Sequence, residues 1–358
     1  MKRKLLALAS ALALCFSLAG CTISTPDTVG TIGGQEISSG LYLLAQFDAY
    51  QQAAQLAGED QDPSNVGSFL GQTITTEDGE SVTVRDFVAD ATLEDLRRYV
   101  AVEDRFAQLG GELDPDAAAQ ADSYADQLLE NYGDLYAANG IGEQTLRSYE
   151  QNLFKQAALV DLIYGAEGET PLTDEQLTDH LENEMLYIRY TTVPLYNLST
   201  FAFADEEQTA QMLDLAGQAI ADSTPATFDD AVIAALPDIY AVLGTEITAE
   251  EAADQMNNSF ISLSEMQGSF SEEDTQTLMQ LEFGQTAAVE YGGTSLLIAM
   301  RQDPLETLTL DTVRSTVLSD LGTTLVTQDI AQAGEALEVS LDSSATAKLP
   351  ARKIKTSV

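Results

Sequence analysis

The chain has 358 residues, of which 44% are hydrophobic and 21% charged, with 16 Lys+Arg against 58 Asp+Glu, a net charge of −42. A mean hydropathy of −0.07 is that of a globular protein, long enough for two or three domains. Too few basic residues exist to neutralise phosphates, which excludes a nucleic-acid binder. One histidine, two cysteines and no tryptophan leave no Cys/His zinc site, no multiple disulfides and no cofactor to expect.

Residues 1–21 read MKRKLLALASALALCFSLAGC. Lys2, Arg3 and Lys4 form a basic head, and Leu5 to Leu18 an uncharged apolar run too short for a spanning helix. The run ends in Leu18-Ala19-Gly20-Cys21, which resembles the bacterial lipobox. The expected consequence is a signal peptide over 1–20, a lipidated Cys21, a polar tether over 21–28, and a protein held outside the cell membrane. Cys15 leaves with the leader, and lipidation removes the liability of a free Cys21 thiol. Losing the leader removes three basic and no acidic residues, so the remainder is still more acidic. That surface solubilises the chain, and it also attracts cations or basic unfolded polypeptides.

Along the rest of the chain, Val29 to Ile37 reads as strand–turn–strand around Gly33-Gly34. Ser38 and Ser39 offer an N-cap for a helix carrying Leu41, Leu44, Phe47 and Leu56. Residues 58–70 read as loop, and Gln72 to Val84 as a small hairpin around Asp78-Gly79. Three helices are predicted next. One opens at Thr92 and ends at Gly110-Gly111. A second runs from Pro115 to Gly133 with Ala121, Tyr124, Leu128 and Tyr132 as its buried stripe. A third begins near Gly142. Residues 165–171 form a linker. Thr173 to Gln176 is a capping box, Met185 to Val193 a strand, and helices follow at Glu206 to Ala221 and Phe228 to Leu236. Ser259 to Leu263 reads as a strand and Ser271 to Leu281 as a helix. Strands at Ala287 to Tyr291 and Ser295 to Arg301 flank Gly292-Gly293. A long helix from Leu310 and a short strand at Leu337 to Leu341 follow.

Several stretches resemble one family. VGTIGGQEIS at the mature start is similar to the opening of the SurA/PrsA-type extracytoplasmic foldases. PLTDEQL (171–177) before YIRYTTV (187–193) looks like that family's junction into a parvulin-type prolyl isomerase domain. LEFGQTAAVEYGGTSLLIAM (281–300) resembles the parvulin ending, and ALEVSLD (336–342) the tail of the PrsA branch. The resemblance implies an α+β fold: a helical chaperone domain formed by both chain ends, with an inserted parvulin-like β-α-β-β domain. The implied boundaries are 29–170, 171–303 and 304–345, followed by a basic tail over 346–358.

The resemblance also implies function: binding of unfolded exported polypeptides, with weak or absent prolyl cis–trans isomerase activity, because both parvulin histidines are missing. Tyr190 and Thr294 fall near their positions, while Met266, Phe270 and Leu278 fall where parvulins surround the proline ring. Each of these also reads as ordinary core. Arg189 reads equally as salt-bridge partner or ligand contact, and His180 as a solvated residue on a polar helix. An active parvulin-type isomerase, and a solute-binding or adhesive surface lipoprotein, are the rival readings. The copy number is left open.

Overall fold

A computed structural model describes residues 26–58, 60–76 and 78–358. The leader and Cys21 lie outside the described residues. The chain is α+β, with antiparallel sheets, and divides into two compact units. One takes the described residues up to Leu162 together with Val326–Val358; the other is Ile163–Leu325.

In the first unit, β1 (Thr28–Ile32) pairs antiparallel with β2 (Gln35–Ser38) on one edge and with β9 (Val339–Leu341) on the other, so segments from opposite ends of the chain share a sheet. Gly30 permits this. Its φ is +127°, and a Cβ there would collide with the Ser340 carbonyl. The Ser38 hydroxyl accepts from the Leu41 N–H and starts α1 (Ser39–Gln55). A one-turn helix, α2 (Val66–Phe69), and a hairpin of β3 (Thr73–Thr75) and β4 (Ser81–Thr83) follow.

The next helix, α3 (Val84–Gln108), starts earlier than predicted. Thr83 caps it, and Thr92 is internal, its hydroxyl donating to the Val88 carbonyl. The expected stop at Gly133 is also absent, since α4 runs Pro115–Ala138. On that helix Ala121 and Ala125 are buried, whereas Tyr124 and Tyr132 are 52% and 55% exposed. Two apolar stripes compete there, and the small one wins because it lets a neighbouring helix approach closely. The unit is completed by α5 (Glu143–Tyr164) and the end of α12 (Leu310–Glu335), each of which crosses the boundary between units. The closing residues are more than a basic tail. After α13 (Ser343–Thr346), Leu349 and Ile354 are buried, each in an apolar cluster of this unit.

In the second unit, α6 (Asp174–Glu184) starts with the predicted capping box, Thr173 and Gln176 bonding reciprocally. A four-stranded antiparallel sheet follows, in the order β6 (Asn257–Ser262), β5 (Met185–Pro194), β8 (Ser295–Arg301), β7 (Thr286–Tyr291). Helices α7 (Glu206–Ile220), α8 (Phe228–Ala241) and α9 (Ala249–Ala253) pack on one face, where Met212, Phe228 and Leu236 meet Leu296, Ile298 and Met300. On the other face lie α10 (Leu263–Ser269) and α11 (Glu272–Met279). Covering on both sides explains why β8 is a continuous apolar run instead of an alternating one. The expected end of α8 at Leu236 is overrun. Pro237 removes one helical donor, but burial of Ile239 and Tyr240 draws the helix on to Ala241.

Candidate functional site

Strand alternation sets the geometry of the α10/α11 face. Leu186, Ile188 and Tyr190 of β5 point to it, as do Leu297 and Ala299 of β8 and Ala287 and Val289 of β7. Tyr190 pairs with Ala299 on one side and Asn257 on the other. Met266 of α10, Phe270 at its C-cap and Leu278 of α11 close over these residues. Four of the five candidate residues, Tyr190, Met266, Phe270 and Leu278, therefore fall in one apolar cluster.

The four differ in access. Met266 and Leu278 are 0% and 1% exposed and offer nothing to a ligand. Phe270 lies at the edge of the cluster, its ring 5.1 Å from that of Tyr291, which is 38% exposed. Beside Phe270, a surface cavity of about 330 Å³ is also lined by Leu263, Gln267, Thr275 and Met279. Thr294 lies outside the cluster, in the exposed turn between β7 and β8, where its carbonyl accepts from the Leu195 N–H at 2.8 Å.

Arg189 is fully engaged. Its Nε and Nη2 donate to Asp229 at 3.0 and 2.6 Å, and its Nη1 donates to Asn258 at 3.1 Å. The expectation of a solvated His180 is corrected: its Nε2 lies 2.7 Å from an Asp320 carboxylate oxygen, and the side chain is only 13% exposed. A partner 140 residues away cannot be read from local polarity.

Tyr190 brings a hydroxyl to this apolar cluster, and Glu272 and the buried Thr275 of α11 line the cavity beside Phe270. Such a face suits contact with apolar chain. Among the described residues no group of three or more His, Cys, Asp or Glu is placed to hold a metal. None of the described helices is long and apolar enough to cross a membrane. Sequence reasoning missed the Phe270–Tyr291 ring pair and the exposed aromatics Phe201 and Phe203. The Phe-Ala-Phe run between Thr200 and Asp205 was the available signal.

No family model matches the chain, and no curated protein matches it. Solved structures similar to it are the foldase protein PrsA of Streptococcus pneumoniae, at 13% identity and a TM-score of 0.34, covering 78% of this chain and 100% of that one. PrsA of Lactococcus lactis follows at 16% and 0.34, covering 92% and 99%. PrsA of Bacillus subtilis stands at 14% and 0.30, covering 77% and 96%. Scores of this size describe no common superposition of whole chains.

Proposed function

We propose that the chain is a lipid-anchored extracytoplasmic folding factor. In this reading it holds unfolded exported polypeptides, and its sheet-bearing unit is a divergent parvulin-like domain with little or no prolyl isomerase activity. One observation carries the loss of activity. Where the resemblance would put a proline pocket, Met266 and Leu278 are sealed in core among apolar neighbours. Rotation about a peptide bond faces a barrier of ~18–20 kcal/mol. Lowering it requires a gripped, desolvated amide with oriented hydrogen bonds, which a closed apolar cluster does not supply. Exposed Tyr124 and Tyr132 of the helical unit support the holding role, since apolar surface left in water marks interaction sites.

The test pairs two assays on the full chain held in phosphatidylcholine nanodiscs: aggregation of an unfolded client, and a refolding phase limited by proline isomerisation. Suppression of aggregation with no acceleration of refolding is expected. Acceleration makes the chain an active isomerase, and failure in both assays favours a solute-binding or adhesive lipoprotein. The anchor has its own test. Cells making the parent should incorporate labelled fatty acid into the protein, and the Cys21→Ser variant should incorporate none; retention of label by the variant removes Cys21 from the reading.

A further inference from the structure

An aromatic patch on the sheet-bearing unit plays no part in the site above. After β5 the chain forms a closed loop over residues 195–204, with a bridge between Tyr196 and Phe203. Its backbone is bonded internally. The Asn197 N–H donates to the Ala202 carbonyl at 2.9 Å, Phe201 N–H to the Asn197 carbonyl at 2.8 Å, and Ala204 N–H to the Leu195 carbonyl at 2.8 Å. The Asn197 side-chain oxygen accepts from the N–H groups of Ser199 and Thr200 at 2.9 and 2.8 Å. Its amide nitrogen donates to the Leu243 carbonyl at 2.6 Å, pinning the loop beside the end of α8. What the loop displays is therefore fixed in place.

It displays rings. Phe201 and Phe203 are 70% and 67% exposed, with centroids 6.2 and 5.7 Å from that of the half-buried Tyr196. Phe201 has φ +55°, and it is the non-glycine residue with positive φ among the described residues. For a bulky side chain that conformation costs roughly 1–3 kcal/mol. Closing the loop calls for a left-handed residue here, whose N–H meets the Asn197 carbonyl, and the position carries a large exposed ring where glycine or asparagine would cost less. A fixed aromatic face of this kind suits a partner.

The surroundings carry one sign of charge. Phe203 shares a surface cavity of about 280 Å³ with Asp205, Glu206 and Glu290. Not one Lys, Arg or His lies between Arg189 and Arg301, and Arg189 is taken by Asp229. Ring faces next to carboxylates fit ammonium and guanidinium groups, through cation–π contact and charge-assisted hydrogen bonds. The same field repels an anionic lipid surface, which favours a polypeptide as the occupant.

We infer that the Tyr196–Phe201–Phe203 loop is a docking site for extended, unfolded segments in which Lys or Arg neighbours an apolar side chain. This rests on the folding-factor reading and names its substrate class. The site differs from the Tyr190–Phe270 cluster and needs no isomerase chemistry.

The experiment measures binding of two labelled peptides of equal length to the full chain in phosphatidylcholine nanodiscs, one alternating Arg/Lys with Leu/Phe, the other Asp/Glu with Leu/Phe. The parent should bind the basic peptide and not the acidic one. Phe201→Ser with Phe203→Ser should weaken binding at least about tenfold, the size of two ring contacts. Glu206→Gln with Glu290→Gln keeps the rings and should weaken binding less while flattening its salt dependence. Equal binding of both peptides, or unchanged binding by the Phe pair variant, overturns the inference. So does ring-dependent capture of phosphatidylglycerol vesicles without peptide binding, which would assign the loop to a membrane. Client aggregation is followed in parallel. If the parent suppresses it and the Phe pair variant binds the basic peptide undiminished, the inference falls and the folding-factor reading stands. If peptide binding depends on the rings but aggregation is not suppressed, the reading falls and the site stands.

Discussion

The two units differ in where their cations lie. In the helical unit, cations tie helices together. Lys155 reaches Glu103 at 2.7 Å, and the buried Asn152 donates to the same carboxylate at 2.9 Å. Arg98 is paired with Asp95 on α3, and its Nη2 donates to the Tyr149 hydroxyl of α5 at 2.8 Å. Arg147 of α5 binds Asp126 of α4 at 2.5 Å. In the sheet-bearing unit Arg189 of β5 pairs with Asp229, Arg301 at the end of β8 donates to the Leu281 carbonyl at 2.7 Å, and the His180–Asp320 and Arg314–Asp174 pairs join α6 to α12, but no Lys, Arg or His lies between Arg189 and Arg301. That core is held by apolar packing on both sheet faces, while the surface carboxylates go unneutralised. Such a surface resists self-association at some cost in self-repulsion, and it leaves the exposed rings in a uniformly negative field.

The largest expected effect tests whether apolar packing alone carries the second unit. Met266 is inaccessible between α10 and the sheet, so Met266→Ala should destabilise this unit by about 2–5 kcal/mol. Chemical denaturation followed by hydrogen exchange would place the loss on β5, β8 and α10 and spare α1 and α3. A loss under about 1 kcal/mol would mean that Met266 faces an open pocket, which would return the isomerase reading to the front.

A smaller effect concerns a carboxylate in the helical unit that lacks a cation of its own. Burial pushes Asp48 up to about 7 from the ordinary carboxylate value, the charge of Asp95 adds to this, Arg98 opposes it and Glu150 adds again. The raised folded value fixes the sign. Between about pH 4 and pH 7 the native state holds a proton that the unfolded chain has released. Stability is therefore undiminished below that window and falls as pH rises through it. Asp48→Asn cannot ionise, so it should gain on the parent above pH 7, by up to roughly 4 kcal/mol, and match it near pH 4. Melting curves at the two pH values check this, and a gain that is equal at both would break the linkage.

The parts of the molecule that could be read from sequence are those whose cause is local. Capping at Ser38 and Thr173 and the Gly292-Gly293 turn each depend on a few neighbouring residues, and the structure has them. The start of α3 is hidden in the sequence because β4 passes directly into the helix, and because Thr92 turns its hydroxyl onto the Val88 carbonyl. Burial of Leu349 and Ile354 and the pairing of His180 with Asp320 depend on partners far along the chain, where periodicity has nothing to say. The apolar candidates Met266, Phe270 and Leu278 came from resemblance, and only the fold distinguishes the sealed pair from the rim residue. In the 195–204 loop the Phe-Ala-Phe run is the one local signal, and it is too short to separate a displayed ring pair from a buried strand.

The smallest effect separates structural from ligand-binding use of Arg189. Its partner Asp229 sits in the first turn of α8, where the helix dipole already favours a negative charge. Both side chains are partly exposed, at 23% and 46%. Loss of the pair in Arg189→Gln should therefore cost only about 1 kcal/mol, and the difference should shrink at high salt as the carboxylate is screened. Binding of the basic peptide should be unchanged or slightly tighter, since the variant removes a cation from the sheet and frees a carboxylate. If binding is lost while stability holds, Arg189 contacts the client directly. The contrast between a cation-wired helical unit and the acidic stretch between Arg189 and Arg301 would then need this arginine moved from the scaffold to the binding surface.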